Sequence, residues 1–392
     1  MIRAWRLSPS RDASATSDPA NGAPDASPVA GRSLLEDTLA DPTLEDDSVL
    51  VRVQACVFGA PERMSSTDVV PGGAAVGTVV RAGSEAAHLL HRRVVVGPEQ
   101  ACGECDVCRR GTPVLCPKGH HLGRDVHGAL ATEVKARARW LCALGDELSG
   151  AALDSPAAAL IGREAAWAYT MFARAGVAPG EPVFVVGHDV VARLLVEVAI
   201  AKGVRPMAVF PAEQTGFADW IATTSAVPVA VADPGELAAA ALAAATAGGH
   251  GRRPWFVFET SGTGAGRALA LALAVPGTRW ILLARRALGL DASEASPSGS
   301  TSARTIDIDV VTAMDGTVVG VTGAHPDLFP EVAALVVRGE LDIAGAACVV
   351  AIDDGRFVQD TADVAAPPAA WVVTVSSDER DPLTSDETAA ES

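Results

Sequence analysis

The sequence predicts an α/β protein of two units, a barrel-like β-block and a doubly wound parallel sheet. Three observations carry this. Short β-like runs separated by Gly and Pro clusters fill Ser48 to Val96. Beyond Arg163, apolar strands alternate with amphipathic helical stretches. Four cysteines crowd into the segment Cys102 to Cys116, between the two patterns.

Taken in order, Val49–Val53, Gly77–Val80 and Arg93–Val96 read as strands of the first unit. In the second unit Pro182–Val186 reads as a buried strand, Val190–Lys202 as a helix and Met207–Phe210 as a strand. Glu236–Ala247 follows as a helix, Trp255–Glu259 as a strand, Gly266–Val275 as a helix and Trp280–Ala284 as a strand. Such alternation implies right-handed βαβ crossovers, and the turn at Val186-Gly187 is where a sheet of this kind binds a dinucleotide. Residues 8–32, 291–304 and 376–392 are small, acidic or Pro-rich and carry too few large apolar side chains to offset the entropy of ordering, so they are expected to be disordered.

Composition narrows the function. The chain has 392 residues and a formal net charge of −17, with no long basic block to overcome that field locally. Nucleic acid and anionic lipid are therefore disfavoured as partners. No apolar run is long enough to cross a bilayer, and the start, with Arg3 and Arg6, lacks the apolar stretch of a secretory signal. A cytoplasmic protein is expected.

Cys102, Cys105, Cys108 and Cys116 have the spacing of a tetrahedral zinc site, because each two-residue gap lets the chain fold back around the ion. Two disulfides are disfavoured in a cytoplasmic chain, and unliganded thiols among Glu104, Asp106, Arg109 and Arg110 would oxidise. One structural zinc per chain is expected, with no open coordination position and hence no chemistry of its own.

With the flanking Val94-Val95-Val96-Gly97-Pro98 and Gly123-Arg124-Asp125-Val126-His127-Gly128, this cluster resembles the structural-zinc lobe of the zinc-containing alcohol dehydrogenases, which are medium-chain dehydrogenases/reductases. Val51–Ala55, Ala178–Val183, Phe256–Gly262 and Val337–Asp342 extend the resemblance over nearly the whole chain. It implies a GroES-like domain over 1–164 and 325–375, carrying the lobe at 102–116, and a Rossmann-type coenzyme domain over 165–324. It also implies hydride transfer between NAD(P) and a small alcohol, aldehyde, ketone or enoyl substrate.

Relatives that oxidise alcohols hold a second, catalytic zinc, and aligned on the motifs its three ligand positions fall on Gly59, Gly73 and Arg163. Glycine offers no donor atom and a guanidinium cannot be deprotonated to coordinate, so the usual Lewis-acid site cannot assemble. A substitute could draw on Cys56, Glu62, Asp68 or Glu164; alternatively Cys56 is a packed strand thiol and the carboxylates are solvated.

The candidate cofactor-binding residues are Gly187, His188, Asp189 and Ala192. Here Gly187-His-Asp189-Val-Val-Ala192 keeps the turn glycine and the helix-packing position, but a carboxylate stands where the pyrophosphate must approach. Asp189 either occupies the anion site at the helix N-terminus or turns outward as an ordinary cap. His188, His88, His91 and His120-His121 read as incidental or surface residues. Gly262-Thr-Gly264-Ala-Gly266 reads as a tight turn, its spacing being wrong for the fingerprint. No acid ends the second strand at Phe210-Pro211, and Glu213 is two residues late for a ribose.

Two functions follow. One is an atypical NAD(P)-dependent oxidoreductase working without catalytic zinc. The other is a non-catalytic dehydrogenase-like scaffold or subunit that keeps only the structural zinc and could serve a catalytic partner. In either case the uncharged β-branched segment Gly316–Val321 aligns with the edge strand through which the family dimerises, so a homodimer or dimer-based oligomer is expected.

Overall fold

The computed structural model of the chain describes residues 1–9, 32–63, 65–145, 148, 150–250, 253–284, 307–359 and 368–375. The expected disorder at 8–32, 291–304 and 376–392 falls almost wholly outside those residues.

The first unit opens with a hairpin of β1 (Ile2–Leu7) and β2 (Leu34–Leu39). It continues with β3 (Ser48–Phe58), β4 (Ala75–Ala82), β5 (Arg93–Val96), β6 (Glu99–Gln100), β7 (His120–His121), β8 (Glu133–Arg137) and β9 (Leu141–Leu144). Two late strands, β16 (Ala347–Ala351) and β17 (Ala370–Thr374), return to it, giving the order β16-β17-β3-β4-β5-β9, with β8 pairing the Ser48–Arg52 half of β3 off this path. The register of β3 against β4 shifts between Leu50 and Val51 and again between Val53 and Ala55. Such bulges strengthen the twist by which a sheet curls on itself.

The second unit is a six-stranded, all-parallel sheet. Its strands are β10 (Val183–Val186), β11 (Met207–Pro211), β12 (Val227–Val231), β13 (Phe256–Glu259), β14 (Arg279–Leu283) and β15 (Thr317–Val321), in the order β12-β11-β10-β13-β14-β15. Helices α1 (Glu164–Ala175), α2 (Val190–Ala201), α3 (Thr215–Ala222), α4 (Leu237–Ala247), α5 (Gly264–Ala272), α6 (Ile308–Ala313) and α7 (Phe329–Val337) accompany it. β10 is apolar and buried at every position, as a strand covered on both faces must be.

The sequence reading passed over α3 and β12. Pro228 inside Val227-Pro-Val-Ala-Val demotes the run as a strand, yet β12 is the sheet edge, where a missing N–H costs nothing. Order reverses between β10 and β13, so the crevice at their carboxyl ends is the topological switch point at which such sheets take ligands.

Candidate functional site

The four lobe cysteines lie within 4.8 Å of one another, with sulfur–sulfur separations of 3.5 Å (Cys105–Cys108), 3.5 Å (Cys102–Cys116), 3.8 Å (Cys105–Cys116) and 4.0 Å (Cys102–Cys108). A tetrahedron with zinc–sulfur bonds of about 2.3 Å has edges of about 3.8 Å, so these thiols fit zinc without rearrangement. None is in a disulfide. Hydrogen bonds from the Glu104 and Cys105 amides hold the Cys102 thiol down to about 6, while burial pushes Cys108 up to about 12. Trp140 anchors the lobe to the barrel by donating its indole N–H to the Ala101 carbonyl, at 2.6 Å.

The three positions aligned with catalytic-zinc ligands converge on one buried ion cluster. Arg163, 1% exposed, pairs with Glu62 and, at 2.7 Å, with Glu164. Glu62 in turn accepts from the Gly59 N–H at 2.8 Å and the Gly73 N–H at 3.3 Å. Burial alone would lower the basicity of Arg163, but Glu164 and Glu62 more than offset it and the guanidinium is held charged. A Cβ on Gly73 would lie 3.1 Å from Pro98 Cβ and 3.4 Å from the Leu122 carbonyl, so a side chain there would need Pro98 to give way by a few tenths of an ångström. This set does not fit a zinc ion, because a permanent cation already occupies the carboxylates.

Cys56 is fully buried beside the cluster, its thiol pushed up by burial and then by Glu62. Asp68 is exposed and elsewhere, its carbonyl taking a hydrogen bond from Arg6. His121 departs from the surface reading. It is half-buried, and its pKa is lowered to about 4, chiefly by burial and then by Arg124. No local signal in the sequence marks it, since it pairs across β6–β7 with Glu99, a contact set by the fold.

In the switch-point crevice Asp189 takes extended backbone and caps α2, its carboxylate accepting from the Ala192 N–H at 2.8 Å and from Thr260 Oγ1 at 3.4 Å. The residue is therefore an N-cap, with its carboxylate on the first turn of α2. Gly187 has φ +139°, and a Cβ there would lie 2.2 Å from Thr260 Oγ1, so only glycine passes this point. His188 is half-buried, and Ala192 is buried in the first turn of α2. A second acid, Glu259, lies buried at the end of β13, accepting from Ser261 Oγ and the Gly262 N–H. The crevice as it stands does not fit a pyrophosphate: the helix N-terminus is already neutralised by a carboxylate of the ligand's own sign. At Gly262–Gly266 the turn gives way to α5, capped by Thr263, which accepts from the Gly266 N–H.

From α2, Arg193 reaches the returning segment of the first unit, donating to the Gly345 and Pro368 carbonyls and pairing with Asp342 at 2.9 Å. Glu197 accepts from the Asp342 N–H and is pushed up to about 7, first by burial. An acid raised in the folded state binds its proton more readily than in the unfolded chain. Its contribution is therefore fully present below the ordinary carboxylate range of about 4.3 and is lost as pH rises through 7. Glu197→Gln is expected to flatten the stability–pH curve across that window by about 1–3 kcal/mol. Chemical denaturation at pH 4.5, 6 and 8 checks this; parallel curves for variant and wild type would refute it.

A bulged, mostly antiparallel sheet, a six-stranded parallel sheet with a reversal at its centre and a four-thiol lobe define a two-unit chain. Residues 45–146 match the alcohol dehydrogenase GroES-like domain. An alcohol dehydrogenase from Geobacillus stearothermophilus is 28% identical over 179 residues, which are 43% of this chain and 51% of that protein. D-arabinitol dehydrogenase 1 from Uromyces fabae is 30% identical over 105 residues, 25% of this chain and 30% of that one. The chain thus spans about half, or less, of the curated relatives it matches. Among solved structures, alcohol dehydrogenase TADH from Thermus sp. ATN1 superposes with a TM-score of 0.70 at 20% identity, covering 88% of this chain and 97% of that one. An Escherichia coli CFT073 alcohol dehydrogenase complexed with NADH gives 0.69 at 15%, covering 88% and 96%. At such identities the likeness is one of fold. Residues 45–146 are thus an alcohol dehydrogenase GroES-like domain, and the chain as a whole shares the fold of the alcohol dehydrogenases. Among the described residues no helix is long and apolar enough to cross a membrane.

Proposed function

We propose that this chain is a non-catalytic relative of the alcohol and polyol dehydrogenases: a scaffold of a 1–164/325–375 domain and a 165–324 domain, stiffened by one structural zinc on Cys102, Cys105, Cys108 and Cys116. The observation that carries the reading is the buried Glu62–Arg163–Glu164 cluster. It leaves no Lewis acid to polarise an alcohol or carbonyl oxygen, and the Asp189 cap separately opposes the coenzyme. Assaying the purified protein with NAD⁺ or NADP⁺ and a panel of small alcohols and polyols tests it, and zinc-dependent turnover would overturn it.

A second reading is a zinc-free NAD(P)-dependent oxidoreductase acting on a small alcohol, aldehyde, ketone or enoyl compound. The intact strand–turn–helix with Gly187 and Ala192 favours it, as does the NADH held by the Escherichia coli relative. Metal-independent turnover with either nicotinamide would select it.

In both readings the protein assembles as a homodimer or a dimer-based oligomer. β15 is an edge of the parallel sheet, pairing with β14. It is uncharged, and an edge of this kind left open invites pairing with another chain. Val319 packs on the core, so the outward position to probe is Val318, 37% exposed. Val318→Lys is expected to shift the mass from dimer to monomer in light scattering at tens of micromolar. A wild type already monomeric at that concentration would refute it.

A further inference from the structure

We propose that Arg163 is a resident cation, doing inside the cleft the electrostatic work that a divalent metal ion would otherwise do. The inference deepens the reading above and rests on it for the placement of the site.

A bound metal gathers ligands from distant parts of a chain into one dry place, and Arg163 does this here. Glu62 comes from the turn after β3, Gly59 and Gly73 give amides from that turn and from the approach to β4, and Glu164 opens α1. The Arg163–Glu62 pair spans 101 residues of sequence. The three charged groups are 1% (Arg163), 3% (Glu62) and 4% (Glu164) exposed, so neither carboxylate has water as an alternative partner. Trp167 covers the guanidinium, its ring 5.6 Å away.

The charges do not balance. Two carboxylates face one guanidinium, where a divalent ion would balance both. The surplus has an address. Glu164 Oε1 accepts a hydrogen bond from Arg163 Nε at 2.8 Å and lies 2.7 Å from its Nη2 in the ion pair, whereas Glu164 Oε2 is enclosed without a hydrogen-bond partner. An orphaned oxygen of this kind marks a ligand set built for more positive charge than it holds.

A nitrogen donor lies within electrostatic reach, His121 feeling the charges of both Glu62 and Arg163. His121 Nδ1 is 2.9 Å from the Leu122 carbonyl, which can only accept, so Nδ1 carries the proton and Nε2 the lone pair. The two carboxylates supply the hard oxygen donors that suit Mn²⁺. Among the described residues only the lobe cysteines lie close enough together to hold an ion as they stand, as expected if Arg163 keeps the cleft groups apart.

Arg163→Ala, with zinc in its lobe, is expected to melt about 10 °C lower than wild type, since two buried carboxylates lose their cation. It is further expected to take up one Mn²⁺ per chain, counted by electron paramagnetic resonance and metal analysis, and to regain part of the loss. Wild type should bind no Mn²⁺ in the cleft. The triple variant Arg163→Met, Glu62→Gln, Glu164→Gln, with no charge to balance, should fold and bind none. If Arg163→Ala is insoluble, refolding with Mn²⁺ replaces the melt, and recovery only with the metal supports the proposal. Unchanged melting, a loss that Mn²⁺ does not repair, Mn²⁺ bound by wild type, or Mn²⁺ bound equally by the triple variant would each overturn it. Nicotinamide binding and turnover by wild type test the non-catalytic reading separately.

Discussion

Purified protein is expected to carry one zinc per chain, and Cys105→Ser to lose it together with the ordered lobe. The sulfur–sulfur distances already suit the ion, so binding should be tight, and in a small metal site binding free energy is folding free energy, on the order of 10 kcal/mol. Only part of that reaches the rest of the chain, because the barrel has its own core around Val51, Val79 and Val94. The variant should therefore lose zinc fully and melt earlier and less cooperatively, while Cys348→Ser, on β16 and away from the lobe, should keep both metal and melting curve. Metal analysis returning two ions per wild-type chain, or none, would contradict the assignment.

NADH is expected to bind wild type weakly or not at all, and Asp189→Gly to bind it at least tenfold more tightly. Removing the carboxylate frees the Ala192 N–H and the positive end of α2 for a pyrophosphate. A like charge about 4 Å away at a partly solvated site costs on the order of 4 kcal/mol, and each tenfold in affinity needs only about 1.4. Glycine is itself a tolerable N-cap, so the variant should lose only a few tenths of a kcal/mol of stability. Asp219→Asn removes the same charge from an exposed face of α3 and should leave binding unchanged. Fluorescence titration and calorimetry read both. Low-micromolar binding by wild type would reject the electrostatic account at once.

Much of this was legible in the sequence because it is local. The lobe is a matter of spacing within one short segment. The βαβ rhythm shows as runs of apolar residues, and that Gly59 and Gly73 carry no side chain is plain from the sequence. Where local signals conflicted the reading missed: Pro228 hid the edge strand β12, and nothing in the neighbourhood of His121 announces that it is desolvated.

What the sequence by itself determines is the residue types: Arg163 and Asp189 bring a permanent cation and a carboxylate to their positions, whatever the fold does with them. What each does there was decided only in three dimensions. Glu62 and Arg163 meet because the turn after β3 and the start of α1 pack into the same dry cleft, and there burial removes water as a competitor and makes the pair obligatory. Asp189 became a cap bridged to Thr260 because parallel pairing sets β10 beside β13, bringing together residues 71 positions apart. Charge and donor atoms are written residue by residue, but whether a charge is solvated, paired or left over depends on which distant segments close around it.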